Sequence, residues 1–65
     1  MERFTIYRCQ RGGHAIETWA QEAARDIGKG DLDTALERLR RIEDEARAIQ
    51  TNAGIVREKL QDVLD

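Results

Sequence analysis

With 65 residues carrying 11 basic and 13 acidic side chains, the chain has room for one domain. A domain of this size hides only about 60% of the surface that its unfolded form exposes, so a large self-sufficient core is excluded. Hydrophobic residues at 40% and charged residues at 37% exclude a disordered tail and match folded amphipathic helices. Cys9 is the one cysteine, which rules out an internal disulfide and leaves association with another subunit as the expected remedy for marginal stability. No stretch has the apolar run of a signal peptide or the length of a membrane span, and a lone thiol suits a reducing compartment. The expected location is the cytoplasm.

The N-terminal arm, residues 1–13, contains Phe4-Thr5-Ile6-Tyr7-Arg8-Cys9, a run rich in β-branched and aromatic residues. It reads as a short strand that would need a sheet edge or a second copy to pair with; a helical or disordered arm is the alternative. Residues 1–14 hold Arg3, Arg8 and Arg11 against Glu2, a net +2, while the remainder holds 8 basic and 12 acidic side chains, a net −4.

Helix signals dominate beyond Gly12-Gly13. There is no proline, and strong helix formers fill most positions. A first helix is predicted over 14–27, with Ile16, Trp19, Ala20, Ala23, Ala24 and Ile27 along one face. Gly28-Lys29-Gly30 ends it and Asp31 caps the next helix. That second helix, 31–64, carries a heptad seam in which Leu32, Leu39, Ala46, Ala53 and Leu60 alternate with Ala35, Ile42, Ile49, Val56 and Val63. The phase runs straight through Thr51-Asn52-Ala53-Gly54, which favours one unbroken helix. Gly54 costs about 1 kcal/mol relative to alanine but falls on the solvent side.

At 1.5 Å per residue the first helix spans roughly 20 Å and the second roughly 48 Å. Such a hairpin covers half of the seam and leaves Ile49, Ala53, Val56, Leu60 and Val63 as the expected dimer interface. The alternative folds the arm or a third helix back over that stripe within one chain.

Catalytic chemistry has little to work with. The chain has no serine, Cys9 and His14 lack an evident orienting group, and the carboxylates are spread over solvated helix faces. No paired C-x-x-C spacing supports a zinc site, and Gly12-Gly13 lacks the lysine of a phosphate loop. No catalytic residue, cofactor or metal is therefore expected, and the reading is not an enzyme.

Trp19, Ala23, Gly30-Asp31 and Ala35-Leu36 resemble the spacing of a single tetratricopeptide repeat, which implies a helical peptide-binding hairpin. Glu22, Asp26 and Arg47 stand where that family has apolar, aromatic and proline residues. Gly30-Asp31-Leu32 before a leucine-seamed helix is also similar to the small subunit of exonuclease VII, with too few matching residues to carry a role across. No family is assigned.

The sequence thus predicts an all-α helical hairpin with a long second helix, forming a dimeric helical bundle. Its expected role is a non-catalytic protein-binding module: an adaptor, regulator or inhibitor of the kind that viruses and mobile elements often encode. Phe4, Tyr7, Arg8 and Arg11 are the expected partner-binding residues, since aromatic and arginine side chains cluster nowhere else. The alternative is a hairpin dimer that binds nucleic acid through the basic arm.

Overall fold

The computed structural model describes the backbone of residues 2–64 and the side chains of residues 5–64. Two helices, α1 (Glu2–Gly28) and α2 (Leu32–Leu64), pack antiparallel as a rod of 52 × 14 × 14 Å. No strand occurs among the described residues. The second helix runs unbroken through Gly54, as the continuous seam phase requires.

The turn is built by its glycines. Gly30 alone among the described residues has a positive φ, 78°, the left-handed conformation that favours glycine because it lacks Cβ. The Asp31 N–H then donates to the Asp26 carbonyl at 2.9 Å and the Gly30 N–H to the Ile27 carbonyl at 3.0 Å, the paired bonds of a Schellman motif. Asp31 also starts α2: its Oδ1 accepts from the Thr34 N–H at 3.4 Å, and its carbonyl accepts from the Ala35 N–H at 3.2 Å.

The N-terminal arm differs from the reading as a strand separated from the first helix at Gly12-Gly13. It is helical from Glu2, and α1 continues through both glycines. A lone strand would leave its backbone groups without partners, whereas a helix satisfies them locally. Two interior glycines cost about 1 kcal/mol each relative to alanine, and packing offsets that cost at Gly12. Gly12 is buried, and a Cβ there would meet Glu45 Oε1 at 2.5 Å and the Ile49 side chain at 3.0 Å. Glycine therefore lets α2 come close.

The longer α1 changes the packing arithmetic. Its 27 residues span roughly 40 Å, so it covers most of α2. No long unpartnered half of the seam remains. Ile49 is half-buried and Val56 is buried inside the hairpin, while Ala53, Leu60 and Val63 stay exposed.

The seam is also rotated from the predicted one. Facing α1 are Ala35, Ile42, Ile49 and Val56, alternating with the polar Arg38, Glu45, Asn52 and Lys59; all eight are buried or half-buried. The other predicted seam register, Leu32, Leu39, Ala46, Ala53 and Leu60, is exposed throughout. From α1 the matching inward set is Thr5, Cys9, Gly12, Ile16, Trp19, Ala23 and Asp26, again at alternating steps of four and three. Only Ala23, Ala35 and Val56 are buried apolar side chains among the described residues.

The glycines give opposite expectations. Nothing lies within 4 Å of a Cβ added at Gly54, so Gly54→Ala should stabilise the fold by about 1 kcal/mol. Gly12→Leu should destabilise it by about 1–3 kcal/mol, because the side chain would displace Ile49. Thermal denaturation followed by circular dichroism checks both, and equal shifts for the two variants would contradict the close approach at Gly12.

Candidate interaction surfaces

An antiparallel helix pair has two distinct flanks, and here they differ in chemistry. One flank is polar. Near the turn Arg38 reaches from α2 to α1, where its Nε donates to Asp26 Oδ2 at 2.7 Å and its Nη1 donates to Glu22 Oε2. The hydrogen bond to Asp26, followed by the nearby charge of Glu22, holds the Arg38 guanidinium above its ordinary pKa. Its side chain keeps 28% of its exposure, so solvent screens the interaction.

Further along the same flank an open groove of about 530 Å³ lies between the helices. Arg8, Arg11 and Ala15 of α1 line it together with Glu45, Ile49 and Asn52 of α2. Tyr7 borders it, and the Arg11 guanidinium carbon sits 5.9 Å from the Tyr7 ring centroid, within range of a cation–π contact. Between the helices the Cys9 thiol donates to the Ile49 carbonyl at a long 3.9 Å. The expected partner-binding residues Tyr7, Arg8 and Arg11 therefore meet on one helical surface, all exposed. The side chain of Phe4 lies outside the described residues.

The opposite flank is apolar. In α1 the residues one step beyond the inward register are Ile6, Gly13, Ala20 and Ile27; in α2 they are Leu32, Leu39, Ala46, Ala53 and Leu60. Helix geometry puts both sets on the side away from Arg38, Glu22 and the groove, since Glu22, Ala15 and Arg8 precede the inward positions of α1 by one step. Ile6 is 50% exposed, Ile27 54%, Leu32 64% and Leu60 55%. Leu36, next to Leu32 and Leu39, widens the strip.

Sequence reasoning grouped Leu32, Leu39, Ala46, Ala53 and Leu60 in one seam register, its first half facing the first helix and Ala53 and Leu60 facing a second copy. The period-seven pattern was visible. What it lacked was the rotation of α2, which sets Arg38 beside Asp26 and Glu22 across the hairpin.

Among the described residues no group of three or more His, Cys, Asp and Glu side chains is placed to hold a metal ion. No helix among them is long and apolar enough to cross a membrane. Compared with protein-family models, curated proteins and solved structures, the chain matches none.

The Arg38 cluster ties the two helices together across the seam and makes its own test. Arg38→Ala should lower stability at low salt, with the difference from the parent shrinking as salt screens the exposed parts of the cluster. Urea titrations at two ionic strengths measure this, and a salt-independent loss would assign the effect to packing of the arginine stem instead.

Proposed function

We propose that the protein is a non-catalytic interaction module that works as an adaptor, regulator or inhibitor by docking a partner protein. The observation that carries this reading is the distribution of apolar surface. Among the described residues ten large hydrophobic side chains are at least 41% exposed, while three apolar residues are buried, a balance that suits a surface made for contact.

For the partner protein, the polar flank offers the better anchor. Tyr7, Arg8 and Arg11 combine aromatic and guanidinium groups beside an open groove, a composition enriched where interfaces concentrate their binding energy. Outside residues 13–46 the chain has six basic and four acidic side chains, a net +2, so this end suits an acidic protein surface. The absence of serine and the scattered carboxylates support a binding role over a catalytic one.

Capture of a partner from lysate by the purified full chain tests the reading. Tyr7→Ala combined with Arg11→Glu should weaken capture about tenfold or more while leaving the helical circular-dichroism signal unchanged. Nuclease treatment should not alter it. Retention lost on nuclease treatment, and falling steeply with salt on a DNA or RNA column, would instead establish the nucleic-acid reading.

A further inference from the structure

We infer that the apolar flank is covered by a second copy of this chain, packed antiparallel about a two-fold axis that passes beside Gly13 and Ala46 to form a four-helix bundle. The inference rests on the interaction-module reading and names one of its partners. It uses the flank opposite the Tyr7–Arg11 groove, so both contacts are available at once.

The surface area calls for a cover. The chain exposes 5302 Å², whereas a compact monomer of its mass exposes roughly 4,200 Å². The excess, about 1,000 Å², matches what each partner gives up in a standard protein interface, about 800 Å². In α2 the apolar band comprises the inward register of Ala35, Ile42, Ile49 and Val56 plus the adjacent register of Leu32, Leu39, Ala46, Ala53 and Leu60. One neighbouring helix covers one seam. A band this wide fits a helix that touches two neighbours, as in a bundle.

A second copy is favoured because the pattern is self-complementary in both helices. Reversing α2 about Ala46 sets Leu32 opposite Leu60, Leu39 opposite Ala53, and Ala46 opposite itself. Reversing α1 about Gly13 sets Ile6 opposite Ala20 and Gly13 opposite itself. Large side chains meet small ones except at the Leu32–Leu60 ends, and the smallest residues lie at the centre, where helices approach most closely. The two centres coincide along the rod: Gly12 lies against Glu45 and Ile49, which puts Gly13 level with Ala46. A single axis thus serves both helices.

Charge agrees with the antiparallel choice. Residues 13–46, the turn half, hold nine acidic and five basic side chains, a net −4, and the remaining residues are net +2. Reversal lays the acidic half of one copy on the basic half of the other, whereas a parallel pair would set like on like. Gly13 itself also finds a reason here. Nothing within the hairpin lies within 4 Å of a Cβ at that position, so the helix cost of glycine is unrepaid inside one chain.

Sedimentation equilibrium of the full chain at micromolar concentration should give twice the 7.5 kDa chain mass. Gly13→Leu and Ala46→Leu should halve that mass while retaining helical signal, because each fills open or exposed space in the hairpin and wedges the axis apart. Ala48→Leu makes the same addition on the other side of α2 and should leave the doubled mass unchanged. In a Cys9→Ala background, nitroxides at Lys29 of one copy and Gln61 of the other should be close. Lys29-to-Lys29 distances should approach the 52 Å length of the rod. A chain that sediments at 7.5 kDa, or a doubled mass that survives both axis variants, overturns the proposal, as does a short Lys29-to-Lys29 distance. A parent chain that sediments at 7.5 kDa yet still captures a partner would overturn the second copy alone and leave the module reading standing.

Discussion

The hairpin depends on how closely its two helices approach. Gly12 lets the Ile49 side chain lie directly on the α1 backbone, and the two most buried side chains, Ala23 and Ala35, flank the turn and are equally small. Small residues permit short interaxial distances, but they bury little area per contact. The bond between helices is thus close and thin. Trp19, Ile16 and Ile42 add larger contacts while remaining half-buried, because a two-helix rod has no third element to seal its edges.

That geometry gives the polar inward positions a place. Arg38, Glu45, Asn52 and Lys59 would be costly in a sealed core, where an unpaired charge is strongly disfavoured. At the edge of a two-helix seam each stays only half-buried, and Arg38 reaches Glu22 and Asp26. Their presence on one flank leaves the other to Leu32, Leu39, Leu60 and their neighbours. The chain is therefore two-sided, with ionic contacts on one flank and apolar surface on the other.

Much of the fold was legible in the sequence, for local reasons. Gly28-Lys29-Gly30 and Asp31 announce a helix stop and start through backbone chemistry that hardly depends on the rest of the molecule, and the turn forms there. The unbroken phase through Gly54 was equally local. The N-terminal segment stays open between strand and helix in the sequence because glycine is ambiguous there: Gly12 serves as a contact point between helices, and its partner Ile49 lies 37 positions away. The rotation of α2 was hidden for a similar reason. Leu32, Leu39, Ala46, Ala53 and Leu60 are more apolar than Arg38, Glu45, Asn52 and Lys59, so periodicity alone turns the leucines inward. Of the candidate site, Tyr7, Arg8 and Arg11 were identifiable by residue type, but their convergence on one groove required the helix that carries them.

The nested pairing of the helices also shapes how the chain acquires its structure. Ala23 and Ala35 enclose the turn, Ile16 and Ile42 lie outside them, and Cys9 and Ile49 outside those, so each contact closes a loop only slightly larger than the one already formed. Loop-closure entropy grows slowly under that condition, and no distant pairing has to be found by search. Structure can spread outward from Gly28–Asp31 like a zip, on the microsecond-to-millisecond scale usual for helical proteins. Pairs far from the turn close late and open at least cost, so amide exchange should rise with distance from Gly28–Asp31.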